Sequence, residues 1–117
     1  MADAMPTILA VGRNHQLLIT RSAILQTVHA DVVEVDAAAA ARVLQEKQVD
    51  LVVLCHTLTK EEMAEIATLA RRKVRAIPVL QLVPARVDAQ QLDVDADAVV
   101  SVRPQALVAK VTQLLPR

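Results

Sequence analysis

Five short apolar runs punctuate the sequence, and a stretch with helical character follows every one but the fourth. Thr7 to Val11, Asp31 to Val35, Leu51 to Cys55, Ile77 to Val83 and Ala98 to Val102 are rich in Val, Leu and Ile, as strands are. Leu51-Val52-Val53-Leu54-Cys55 has no polar interruption, which suits a strand covered on both faces. Between the runs, apolar residues return at helical spacing: Leu17, Leu18, Ile24, Leu25 and Val28; then Val43 and Leu44 behind an alanine run; then Met63, Ile66, Ala67 and Ala70. Leu107, Val108, Val111, Leu114 and Leu115 repeat the pattern near the end. Helix starts are marked by Asn14, by Asp36, by the capping box Thr59-x-x-Glu62 and by Pro104 in a first turn. Pro84 to Asp97 is weakly patterned and predicts a short or irregular fourth helix.

Strictly alternating strands and helices require parallel, right-handed crossovers, with helices on both faces of the sheet. The expected fold is therefore α/β: a doubly wound, flavodoxin-like parallel sheet of five strands in the order 2-1-3-4-5. The 117 residues fit a single domain, residues 1–117, with a core from about residue 7 to residue 115. In such a sheet ligands bind outside the carboxyl ends of strands one and three, where the strand order reverses.

Composition narrows the function. There is no Phe, Tyr or Trp, which removes base-stacking platforms and aromatic cages. A single Gly removes glycine-rich phosphate loops, and no flavin or nucleotide cofactor is expected. Thirteen basic residues balance thirteen acidic ones, so no basic field points to direct nucleic-acid binding. The basic cluster Arg71-Arg72-Lys73 suits a helix C-terminus. No run is long enough to span a membrane, no secretory signal opens the chain, and the one Cys suits a reducing compartment. These features predict a cytoplasmic domain without a membrane partner. Metal-ligand spacing is absent, and no metal site is expected.

Three segments resemble response-regulator receiver domains, the chemotaxis-type modules of two-component signal transduction that accept a phosphoryl group on an aspartate. Thr-Ile-Leu-Ala-Val-Gly-Arg-Asn lies where receivers carry an Ile-Leu-Val-Val-Asp-Asp type strand. Asp-Leu-Val-Val-Leu-Cys-His lies where they carry Asp-Leu-Val-Leu-Leu-Asp. Ile-Pro-Val-Leu-Gln-Leu-Val lies where they carry Ile-Pro-Val-Ile-x-Leu-Thr, and Arg103-Pro104 replaces their Lys-Pro. The resemblance implies a degenerate phosphoacceptor site. Gly12 and Arg13 replace the metal-binding acidic pair, Cys55 the phosphoacceptor, Val83 the switch hydroxyl and Arg103 the lysine. Magnesium wants hard oxygen ligands, and neither a guanidinium nor a thiol supplies them.

The resemblance thus implies a phosphorylation-independent pseudo-receiver with no catalytic residues and no cofactor: a regulatory protein-interaction module, not an enzyme. It also implies a partner, or a second copy, bound through the face of the fourth helix, fifth strand and fifth helix, including Leu92, Val99, Val100, Leu107, Val111 and Leu114. One alternative is a redox-responsive thiol sensor using Cys55, with the arginines favouring thiolate. Another is an anion site formed by Arg13 and Arg103. Against the latter, Arg13 is expected to reach solvent or to pair with a local carboxylate such as Asp36.

Overall fold

The computed structural model describes residues 6–13, 23–55, 57–73, 77–83, 98–101 and 104–115; for 83, 98–101 and 104 it describes the backbone. The strands are β1 (Thr7–Val11), β2 (Asp31–Val35), β3 (Leu51–Leu54), β4 (Val79–Val83) and β5 (Ala98–Ser101). The helices whose full range is described are α1 (Ala37–Glu46), α2 (Lys60–Arg71) and α3 (Pro104–Leu114), the last being the expected fifth helix; residues 23–25 are also helical. The expected fourth helix and the Asn14 cap lie outside the described residues.

All strand pairs are parallel. β2, β1, β3 and β4 follow the expected order, and β5 pairs with β4 at the far edge. One residue fixes the β1–β3 register at the amino end. Asp50 donates its backbone N–H to the Thr7 carbonyl at 2.8 Å, and its carboxylate accepts the Thr7 N–H at 2.8 Å.

Strand alternation divides the core into two layers. On one face, Leu9 and Val11 of β1 and Val52 and Leu54 of β3 pack with Ala40 and Leu44 of α1 and with Met63, Ile66, Ala67 and Ala70 of α2. On the other, Ile8, Ala10, Leu51, Val53 and Cys55 pack with Leu25, Leu80, Leu82 and, from α3, Leu107 and Val111. Helices therefore cover both faces.

Two of the expected caps are in place. Asp36 Oδ1 accepts the Ala39 N–H at 2.9 Å and opens α1. Thr59 and Glu62 form a reciprocal box at the start of α2, with bonds of 2.8 and 3.1 Å. Ahead of β2, a 3₁₀ turn over Gln26–Val28 ends at His29, whose φ of 59° is left-handed and whose N–H donates to the Gln26 carbonyl. The apolar run from Ile77 becomes strand only at Val79; before it, the Pro78 carbonyl accepts the Val52 N–H.

Candidate functional site

β1 and β3 end side by side, and the chain beyond each carries the expected site residues. The Cys55 N–H donates to the Val11 carbonyl at 2.9 Å, and the Gly12 N–H donates to the Val35 carbonyl of β2 at 3.2 Å. Gly12 and Cys55 are thereby locked together where the strand order reverses.

Space, not backbone conformation, makes residue 12 a glycine. No glycine in the described chain has a positive φ. A Cβ built on Gly12 would lie 3.1 Å from Cys55 Cβ, 3.2 Å from its Sγ and 3.4 Å from Thr57 Oγ1. A side chain at position 12 would therefore crowd Cys55, which would have to shift by a few tenths of an ångström. Cys55 itself is 1% exposed and belongs to the core layer under α3.

Arg13 pairs with the start of α2. Its backbone N–H donates to Thr57 Oγ1 at 3.0 Å, and its guanidinium grips Glu62 in bidentate fashion, Nε to Oε1 at 2.9 Å and a terminal nitrogen to Oε2 at 3.0 Å. Asp36, the carboxylate expected beside it, caps α1 instead. The Arg13 hydrogen bond, followed by the Thr59 N–H bond, holds the Glu62 carboxyl below the usual carboxylate range, and the same pairing holds Arg13 above its usual value. Folding that depresses a carboxyl pKa stabilises at pH values above the ordinary carboxylate range. The contribution is lost as pH falls through the depressed value. An NMR titration should place the Glu62 midpoint below that of a free glutamate. Arg13→Ala should raise it part of the way, since Thr59 still donates; an unmoved midpoint would refute the pairing.

Of the other expected site residues, Val83 ends β4 with its backbone in register with Ser101, and Arg103 lies outside the described residues. Leu92 also lies outside them; Val99 and Val100 are in β5, opposite Gln81 and Leu82. Leu107 and Val111 require a correction: both are 0% exposed against the sheet, so they are core and not an interaction surface. Leu114 is half-buried on the same core. The α3 residues facing solvent are Gln105, Ala109 and Gln113. Sequence reasoning did not find Thr57 or Glu62 as site residues; Glu62 was legible only as a cap. Nor did it find Gln81, a polar side chain only 8% exposed in β4.

Among the described residues no three His, Cys, Asp or Glu side chains converge as metal ligands, and no helix is long and apolar enough to cross a membrane.

No protein-family model matches the sequence, and no curated protein matches it either. Solved structures do. The chemotaxis protein CheY4 of Vibrio cholerae aligns with a TM-score of 0.76 at 19% identity, over 96% of this chain and all of that one. A chain from the complex of histidine kinase ThkA with response regulator TrrA aligns at 0.79 and 21% identity, over 96% of this chain and 100% of that one. A chain from the complex of the Saccharomyces cerevisiae phosphotransfer protein Ypd1 with the receiver domain of Ssk1 aligns at 0.74 and 12% identity, over 95% and 89% of the two chains. These likenesses define the fold as that of the response-regulator receiver domains.

Proposed function

We propose that the chain is a pseudo-receiver: a receiver fold that works as a protein-interaction module without accepting phosphate. The observation that carries this reading is the close approach of Gly12 to the buried Cys55 beside an Arg13 already paired with a carboxylate. Where a receiver would present carboxylates to a cation and an acceptor oxygen to phosphate, Gly12 closes on the buried Cys55 thiol and Arg13 is committed to Glu62. A hard dication has no oxygen cage in that donor set, and a thiol cannot form an acyl phosphate.

The same geometry weighs against the alternatives. A sensor thiol must meet its oxidant, and Cys55 is enclosed. An anion site needs uncompensated positive charge, and the Arg13 guanidinium is offset by a carboxylate. Protein partnership is supported by the company the fold keeps, since structures of similar chains include a histidine kinase complex and a phosphotransfer-protein complex. The partner-binding face proposed here is the solvent side of α3 and the adjoining β5 edge. The one cysteine and the fold fit a cytoplasmic setting.

Exposure to acetyl phosphate with Mg²⁺, and separately to beryllofluoride with Mg²⁺, tests the reading. Intact mass and amide NMR shifts should both stay unchanged. A phosphoryl adduct, or shifts centred on residues 12, 13 and 55, would overturn it.

A further inference from the structure

Arg13 is tied down more firmly than an exposed arginine usually is. Its side chain is 57% exposed and that of Glu62 24%, so a simple surface pair would contribute little. Here the carboxylate is already ordered before Arg13 arrives. Glu62 Oε1 accepts the Thr59 N–H at 2.8 Å, and the Glu62 N–H donates to Thr59 Oγ1 at 3.1 Å. A planar guanidinium fork meeting a pre-ordered carboxylate loses less side-chain freedom than two mobile partners would. The third tie, from the Arg13 N–H to Thr57 Oγ1, fastens the backbone of the same segment 44 residues away in sequence.

That segment lies against the thiol, because Gly12 immediately precedes Arg13 and a Cβ there would come within 3.2 Å of Cys55 Sγ. We infer that the Arg13–Glu62 pair is a clasp over the switch point. Closed, it holds the Gly12–Arg13 segment down on Cys55 and Thr57. Open, it lets that segment lift and the thiol meet solvent while the rest of the domain stays folded. Opening of this kind is local and has its own free energy, separate from global unfolding. The inference rests on residues 12, 13, 55, 57 and 62, and holds whether or not the chain accepts phosphate.

The rate at which Cys55 reacts with dithiodipyridine, a neutral aromatic disulfide, reads the clasp. Thiolate attack gives a mixed disulfide and releases a pyridinethione, and the uncharged reagent does not sense changes in protein charge. Glu62→Gln keeps the capping box, which accepts Gln as well as Glu, and removes the ion pair. Arg13→Ala removes the pair from the other side. Each should speed the reaction about two- to fivefold, the scale of an exposed bidentate pair. The double variant should be no faster than either single one, and Arg42→Ala on α1 should match the wild type. High salt should speed the wild type and leave Arg13→Ala unchanged.

The paired variants separate a clasp from simple electrostatics. If charge acted only on the thiol, losing Arg13 would slow the reaction and losing Glu62 would speed it. Opposite changes, or no change, would overturn the inference. So would a reaction rate that climbs with urea as steeply as global unfolding does, since the thiol would then be reached by unfolding and not by local release.

Discussion

Leu107→Ala is expected to destabilise the domain by about 3 kcal/mol, a large part of the whole stability of a domain this size. Leu107 is fully buried in the layer beneath α3, with Val111 one turn on and Leu80, Leu82 and Val53 from the sheet. Truncation deletes its packed methyl groups and leaves a cavity that a helix fixed to a sheet can collapse only in part. Urea unfolding followed by far-ultraviolet circular dichroism should show a lower midpoint with an unchanged slope. Gln113→Ala, on the exposed side of the same helix, should change stability by less than about 0.5 kcal/mol. The comparison also decides which side of α3 can meet a partner. If Leu107 served an interface, its truncation would spare unfolding and weaken association; burial predicts the reverse.

The orientation of α3 marks a boundary of what this sequence discloses. The strands and caps are written in local signals. β-branched runs give β1 to β4, while Asp36 and the Thr59–Glu62 box announce α1 and α2 within three residues of where they act. Leu107, Val108, Val111, Leu114 and Leu115 are equally apolar in sequence. Only the helix's angle on the sheet sends Leu107 and Val111 fully inside and leaves Val108, Leu114 and Leu115 half-exposed. Contacts distant along the chain were also unreadable. Arg13 meets Glu62 across 49 residues, and Asp50 holds Thr7 across 43, because the sheet brings the ends of β1 and β3 together. Glu62 carried a visible role as a cap, which concealed the second use of the same carboxylate.

Gly12→Asp, which would return a carboxylate to the position where receivers carry one, is expected to destabilise by about 2–3 kcal/mol and to leave the chain unable to accept phosphate. Its Cβ would fall 3.1 Å from Cys55 Cβ and 3.2 Å from Sγ, tighter than most side chains pack, so Cys55 would have to give way by a few tenths of an ångström. Neither neighbour yields readily. Cys55 is anchored through its N–H to the Val11 carbonyl, and the backbone at Gly12 through its own N–H to Val35. The added carboxylate would also begin life in a buried position beside a thiol. Gly12→Ala isolates the steric part and should cost about 1 kcal/mol or more. Cys55→Ala should rescue Gly12→Ala only partly, because removing Sγ leaves the Cβ–Cβ clash; Cys55→Gly should rescue it more fully. A double-mutant cycle on unfolding free energies reads this coupling, and strict additivity would refute the contact. The expected coupling means that positions 12 and 55 constrain each other sterically. A chain holding Cys55 in the core regains a side chain at position 12 only at a cost in stability, which a smaller residue at position 55 would reduce.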